Sequence, residues 1–376
     1  MDSVDLILSS LNDKKYVAAI FLDLSKAFDS LDRNILLSKL YNYGIRGNMH
    51  SWFKSYLSNR SQCVIINNHQ SGLQNVDYGV LQGSVLGPLV FLLYINDIGS
   101  IPNIEFDPKL FADDTNIFVY SPNVLDLTIK CQCTINKLTD WMLANRLTIN
   151  CDKTNYMIFT PYKYDIDPCN LNLYLNNMQI SKVPATKYLG VYIDENLDWR
   201  VHIQSICQSL RKYVGIFYKL SLKLPQKVLK MLYFSLIYPH ILYAIEIYAN
   251  TYLIYLHDLL ILNNRILRIL QHKALHVATS DLYKSFGTLP VNTLFQYQLI
   301  LHAHAINFHS ENLPNFFSVN IQRNHDIHTH NTRANDDFHR TSVQSLYGAK
   351  LSSNVYAKLW NSLPANLKSE GCITTF

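Results

Sequence analysis

Two adjacent carboxylates, Asp113 and Asp114, interrupt a run of strand-forming residues at positions 109–119. The residues on either side predict two short β-strands, so the pair falls where a hairpin would turn. Adjacent carboxylates repel one another, and apolar strands beside them raise the cost of ionisation unless a cation neutralises the pair. Magnesium suits such a site, because it prefers carboxylate oxygens and keeps several waters. Taken alone, the stretch favours an ordinary turn, where Asp is common.

A third carboxylate, Asp23, stands near the end of the apolar run at 16–24 (YVAAIFLDL). This run predicts a strand that is buried on both faces. A charge at the end of a buried strand is expensive, and such a group is usually paired or metal-bound. An amphipathic helix is predicted from about Arg33, with Gly44 at its C-terminal cap.

A glycine-rich segment at 79–88 (GVLQGSVLGP) follows a predicted hairpin at 61–78. Glycine allows a backbone to approach a ligand closely, and Pro88 suits the first turn of a helix. Gln82 is the one side chain in the segment that could read an edge of a bound group. The alternative is a plain loop capped by a helix.

The remaining elements predict an α+β domain, a mostly antiparallel sheet with helices on one face, followed by helices from about residue 198. Further strands are predicted at 156–160, 171–175, 178–180 and 188–193. A long helix is predicted from Pro122 and Asn123 to about Asn145, and its apolar stripe comprises Leu125, Ile129, Ile135, Leu138 and Met142.

The 376-residue composition excludes several classes of protein. With 48% hydrophobic and 16% charged residues the chain can build ample core, and its net charge of +5 permits an anionic partner without demanding one. Seven cysteines at irregular spacing indicate neither secretion nor a disulfide framework, and Cys131 and Cys133 lack the spacing of a zinc site. The most apolar region, 231–262, contains four charged or histidine residues and predicts buried helices, not a membrane span.

Five segments occur in an order that resembles one enzyme family. They are residues 21–29 (FLDLSKAFD), 79–88, 111–114 (FADD), 141–159 (WMLANRLTINCDKTNYMIF) and 187–191 (KYLGV). Together they resemble the reverse transcriptases of non-LTR retrotransposons, the jockey-like LINE elements of animals. Residues 232–248 and 360–364 are similar to the thumb and tail of the same elements, so the resemblance covers nearly the whole chain.

The resemblance implies a right-hand polymerase. Residues 1–195 would form the palm with partial fingers, 196–275 an all-α thumb, and 276–376 a helical and irregular tail. The implied chemistry is RNA-directed DNA polymerisation by two Mg²⁺ ions, with Mn²⁺ as a substitute, and the implied partners are an RNA template, a DNA primer and dNTPs.

The resemblance also assigns residue roles. Asp23, Asp113 and Asp114 would be the metal-binding carboxylates, and Lys153 would neutralise or protonate the leaving phosphate. Residues at the incoming nucleotide and the primer follow from the same motifs: Leu24, Phe28, Gln82 and Gly83 at the nucleotide, and Tyr188, Leu189 and Gly190 in the primer grip. Alone, Phe28 would be a core residue and Lys153 a solvated charge.

Two departures from the family pattern stand out. Only 22 residues precede Asp23, where the family has a fingers region and usually an endonuclease domain, so we expect an N-terminally truncated copy that lacks the triphosphate clamp. Leu81 stands where proline is usual, which frees a φ angle but removes no functional group.

Two alternatives remain at this stage. One is a non-catalytic, retrotransposon-derived remnant that at most binds nucleic acid, and the other is a metal-dependent phosphohydrolase that uses the same aspartates. Neither a membrane association nor a targeting signal is indicated, and the resemblance implies an intracellular protein of the nucleus and cytoplasm.

Overall fold

The computed structural model describes residues 1–81, 83–102, 106–161, 171–313, 321–327, 335–343 and 345–372. The chain forms two compact units: Lys14–Val183, and a second unit made of Met1–Asp13 with Pro184–Phe376. The domain boundaries expected after residues 195 and 275 stay predictions.

The strands of the described residues are mostly short. They are β1 (Tyr16–Leu22), β2 (Ser61–Gln62), β3 (Ile65–Ile66), β4 (His69–Gln70), β5 (Gln74–Asn75), β6 (Asp107–Phe111), β7 (Asp114–Ser121), β8 (Asn155–Phe159), β9 (Tyr174–Leu175), β10 (Met178–Gln179), β11 (Ser181–Lys182), β12 (Ala185–Tyr188) and β13 (Val191–Asp194).

The α-helices of the described residues belong to both units. They are α1 (Asp2–Asn12), α2 (Ala27–Ser30), α3 (Arg33–Asn42), α4 (Gly47–Leu57), α5 (Leu86–Ile95), α6 (Val124–Ala144), α7 (Arg200–Ser221), α8 (Gln226–Leu236), α9 (Tyr238–Leu242), α10 (Ile245–Tyr248), α11 (Leu253–Gln271), α12 (Thr279–Phe286), α13 (Val291–Phe308), α14 (Asn324–Ile327), α15 (Leu346–Lys350), α16 (Ser352–Asn361) and α17 (Ala365–Lys368).

The unit Lys14–Val183 is built on a five-stranded sheet in the order β11-β8-β1-β7-β6. Strand β1 lies at its centre and pairs antiparallel with β7 and β8, so that Ala19 faces Phe118 on one side and Met157 on the other. Only β11 runs parallel to its neighbour. The six residues of β1 after Tyr16 are buried, as the apolar run predicts. The predicted α+β class with a mostly antiparallel sheet is confirmed.

One face of this sheet packs against helices. Ala18, Ile20 and Leu22 of β1 share a core with buried residues of α3, α5 and α6, among them Phe91 and Leu138. Each fully buried large apolar side chain contributes about 1.5–3 kcal/mol, so this layer fixes where β1 ends.

The predicted stripe of α6 is partly wrong. Leu125 and Ile129 are exposed, at 74% and 69%, because they lie on the opposite face of the helix from Leu127 and Cys131, which are buried. The stripe is correct at Ile135, Leu138 and Met142.

In the second unit, the predicted strand at 188–193 is instead the hairpin β12–β13, because Leu189 and Gly190 form its turn. Helices α7–α13 follow, and α13 and α16 share an apolar core that includes Ala303, Tyr356 and Trp360. Within the described ranges, no helix combines the length and the apolar character needed to cross a membrane.

Candidate active site

Asp113 lies in the turn between β6 and β7, as predicted, and Asp114 is the first residue of β7. Phe111 pairs with Asp114, which leaves Ala112 and Asp113 as the two turn residues. Ala112 has a φ of +52°, in the left-handed region of the backbone, which residues other than Gly and Asn rarely adopt. Such local strain is often found at functional sites, and the neighbouring Asp113 is exposed at the tip of the hairpin.

Asp23 joins this pair through the sheet register. The pairing of β1 with β7 ends at Leu22 and Thr115, so Asp23 and Asp114 lie just beyond the last pair, at the same end of the two strands. Burial raises the pKa of the Asp114 carboxyl, and the neighbouring charges of Asp113 and Asp23 raise it further. The structure therefore brings the three predicted carboxylates into one region of negative potential.

A backbone ladder brings Lys153 to the same place. The amide of Asn150 donates to the carbonyl of Asp23 at 2.8 Å, and Leu24 and Ile149 form an isolated antiparallel bridge. The Lys153 Nζ lies 3.7 Å from the Asp23 Oδ2. The lysine side chain is 69% exposed, so this ion pair adds little stability and leaves the ammonium able to meet another anion.

The glycine-rich segment docks on the chain that follows Asp23. The amide of Gly79 donates to the carbonyl of Leu31 at 2.7 Å, and the amide of Val80 donates to the carbonyl of Phe28 at 2.9 Å. Gly79 has a φ of +77°, and a Cβ there would stand 2.7 Å from the carbonyl oxygen of Asp29. Only glycine allows this approach of two backbones, so the loop and the Asp23 segment form one framework.

Arg33, at the start of α3, reinforces this framework and was not predicted. Its guanidinium donates to three carbonyls of one segment, those of Val76, Tyr78 and Gly79. Only one sequence signal points to such a role: a cation in the first turn of a helix opposes the helix dipole and so needs another partner.

An ion pair between the buried Asp32 and the exposed Arg146 holds the turn that precedes the Lys153 loop. The side chain of Asp32 is 4% exposed, and it accepts from the Arg146 guanidinium at 2.6 Å and from the amides of Asn34 and Ile35, which caps α3. Next to it, the Tyr94 hydroxyl donates to the Asn145 carbonyl at 2.6 Å, and burial raises the pKa of Tyr94 to about 12.

The predicted nucleotide-side residues have different settings. Phe28 is partly buried, and its ring centroid lies 4.6 Å from that of Phe91. Leu24 is 7% exposed, and its backbone forms the bridge with Ile149. Gly83 has a φ of +78° with open space where a Cβ would stand. Gln82 lies outside the described residues.

The three carboxylates have the donor chemistry of a magnesium site but do not enclose one. Within the described part of the chain, no three His, Cys, Asp or Glu side chains converge closely enough to hold a metal ion. Burial raises the pKa of Asp114 first and the charges of Asp113 and Asp23 raise it further, and a nearby divalent cation would favour the ionised carboxylate. Magnesium keeps several waters and takes substrate phosphates as ligands, so an open set of carboxylates suits it.

The predicted primer-grip residues belong to the second unit. Tyr188 pairs with Val191 across the end of β12–β13. Leu189 and Gly190 form the turn with φ angles of +46° and +81°. The segment therefore presents a tight two-residue tip.

The family model "Reverse transcriptase (RNA-dependent DNA polymerase)" matches residues 3–193. This match covers half of the chain, so the chain belongs to the reverse transcriptase family, as its motifs predict.

Relatives and a solved structure add detail. The chain is 26% identical over 290 residues to "RNA-directed DNA polymerase from mobile element jockey" of Drosophila funebris, covering 74% of this chain and 31% of that protein. It is 31% identical over 219 residues to "Probable RNA-directed DNA polymerase from transposon X-element" of Drosophila melanogaster, covering 57% of this chain and 24% of that protein. A Candida albicans telomerase structure with a fragment of telomeric RNA matches at a TM-score of 0.39 and 14% identity, over 77% of this chain and 55% of that one. The chain thus spans about a third or less of these curated relatives.

Proposed function

We propose that the chain is the RNA-directed DNA polymerase domain of a non-LTR retrotransposon, which extends a DNA primer with dNTPs on an RNA template. The observation that carries the proposal is that Asp23, Asp113 and Asp114 lie at the same end of the β1–β7 pair, where the charges of Asp113 and Asp23 act on Asp114. Family membership and the similarity to the jockey and X-element polymerases support it.

Each carboxylate has a role that fits its position. Asp23 and Asp113 would hold two Mg²⁺ ions, or Mn²⁺ in their place, with Asp114 close by as a third acid. When bound, the metal pair supplies activation of the primer 3′-hydroxyl and charge stabilisation at the leaving pyrophosphate. The carbonyl of Leu24 is a further oxygen beside Asp23.

The chain's own groups position the substrates. Lys153, exposed and 3.7 Å from Asp23, neutralises or protonates the leaving phosphate. Phe28 stacks beneath the sugar and excludes a 2′-hydroxyl, and Gln82 and Gly83 contact the incoming nucleotide. Residues 188–190 hold the primer end. We place this activity inside the cell, in the nucleus and cytoplasm, in association with an endonuclease domain.

A primer-extension assay tests the proposal. The purified chain is given a poly(rA) template, an oligo(dT) primer and dTTP with Mg²⁺ or Mn²⁺, and template-dependent incorporation is measured. Asp113→Ala removes a proposed metal ligand and should lower the rate at least about 100-fold, since the metal pair contributes several kcal/mol. Asp140→Ala, at an exposed acid on α6, is the charge-matched control and should not change the rate.

The assay is repeated with the upstream region of the jockey polymerase supplied ahead of Met1. Incorporation in either form that depends on Asp113 supports the proposal. If neither form incorporates dTTP, the catalytic assignment fails. Salt-dependent RNA binding without incorporation would then favour a non-catalytic remnant, and RNA hydrolysis with Mn²⁺ would favour a phosphohydrolase.

A further inference from the structure

We propose that Tyr243 is a positioning residue that fixes the turn at Leu189 and Gly190, and through it the end of the primer. The proposal rests on the function proposed above, because it takes residues 188–190 as the primer grip. It adds a residue to which that function assigned no role.

Tyr243 contacts both residues of the turn. Its hydroxyl donates to the Leu189 carbonyl at 2.7 Å. Its ring covers Gly190 so closely that a Cβ there would stand 3.2 Å from the Cε1 of Tyr243. The tyrosine therefore acts on the turn twice, through a hydrogen bond and through packing.

The turn needs such support. Leu189 lies in the left-handed region at a φ of +46°, where a residue with a side chain is under strain. The hairpin has only four residues in each strand, and a short two-stranded hairpin is marginally stable by itself. An external hydrogen bond to the strained residue selects one conformation of the tip.

Tyr243 is itself held in place by a buried corner. It follows α9, and its amide donates to the Pro239 carbonyl at 3.0 Å. On either side, Ile241 and Ile245 are 1% and 0% exposed. The side chain is 57% exposed, so its own burial does not explain its position, whereas its two contacts with the turn do.

The base of the hairpin is fixed by different groups. The Asp194 carboxylate, at the end of β13, accepts from the amides of Asn196, Asp198 and Trp199. Loss of Tyr243 should therefore loosen the tip while the base keeps its structure.

The consequence for the reaction is geometric. A reacting group that is misplaced by about 1 Å can lose roughly 100-fold in rate, because the attacking and accepting atoms must be aligned. A looser primer grip should lower kcat and weaken primer–template binding, whereas the KM for dTTP should stay unchanged.

The first test uses hydrogen exchange of the full chain, which needs no activity. In Tyr243→Phe the ring remains but the Leu189 carbonyl loses its donor, so peptides covering 187–192 should exchange about fivefold faster, the effect of one hydrogen bond. Tyr243→Leu removes the ring as well and should have a larger effect. Tyr218→Phe is the matched control, because Tyr218 is an exposed tyrosine that lies elsewhere, on α7. Exchange in peptides covering 194–199 shows whether the base of the hairpin keeps its structure.

The second test measures primer extension for the same variants. A several-fold lower kcat in Tyr243→Phe, an unchanged KM for dTTP and wild-type behaviour of Tyr218→Phe support the proposal. If exchange at 187–192 matches that of Tyr218→Phe, the positioning role is wrong. If the tip loosens but kcat is unchanged, the link to the primer is wrong. If the wild-type chain is inactive both by itself and with the upstream region ahead of Met1, the proposed function is refuted instead, and the exchange data then refute or support the positioning of the turn alone.

Discussion

Gly79 allows the sharpest test of the framework that carries Asp23. Gly79→Ala places a Cβ 2.7–2.8 Å from backbone atoms of Phe28 and Asp29, at a φ of +77°. The left-handed conformation costs an alanine about 1–2 kcal/mol, and the overpacking adds about 1–3 kcal/mol. We therefore expect a loss of about 2–5 kcal/mol, a large part of the stability of an ordinary domain.

Gly83 supplies the matched control. Its φ of +78° is almost the same as that of Gly79, but nothing lies within 4 Å of an added Cβ. Gly83→Ala should thus cost only the conformational part, about 1–2 kcal/mol. The difference between the two variants isolates the contact between the loop and the Asp23 segment.

The assay is urea denaturation followed by circular dichroism, together with hydrogen exchange of peptides covering 16–32 and 76–88. Gly79→Ala should lower the midpoint more than Gly83→Ala and should speed exchange in both peptides. Equal losses for the two alanine variants would refute the close approach of the backbones.

Three further predictions concern charge. Asp114→Asn should raise the denaturation midpoint at pH 7 without divalent ions, because the pKa of the wild-type carboxyl is raised and its ionised form destabilises the folded state. The gain should shrink as the pH falls towards 4, where the wild-type carboxyl takes up its proton. A variant that is less stable than the wild type at pH 7 would contradict this. Arg33→Lys should lower the stability by about 1–2 kcal/mol and speed hydrogen exchange at 76–80, since lysine cannot donate to three carbonyls as the guanidinium does. Exchange at the wild-type rate would argue against this role of Arg33. Arg146→Ala should cost about 1 kcal/mol, because Asp32 loses its ion-pair partner but keeps its two amide hydrogen bonds, and an unchanged midpoint would show that the pair is not needed.

Local signals in the sequence were sufficient to predict the strand and the turn that carry the candidate carboxylates. The apolar run before Asp23 predicted a buried strand, and two strand-forming flanks predicted the turn at Asp113. Both features depend on neighbours in sequence, so they could be read without the fold.

Other features depend on distant partners and could not be predicted. Arg33 meets carbonyls more than 40 residues away, and Arg146 meets a carboxylate 114 residues away. The segment 188–193 consists of strand-forming residues around one glycine, and its pairing shows that Leu189 and Gly190 form a turn between two strands. Leu125 was placed on the wrong face of α6 because a helix with apolar residues on two sides leaves the buried side undefined.

The central position of β1 also governs when the site can assemble during synthesis. Strand β1 ends at residue 22, but the strands on its two sides begin at residues 114 and 155. At roughly 5–20 residues per second, the ribosome takes about 5–20 s to make the first of these partners. An apolar strand with unpaired edges is exposed throughout that interval, so yield should depend on chaperone supply and translation speed. Asp23 leaves the ribosome before the other two carboxylates and reaches its final place only after the hairpin that carries them has formed.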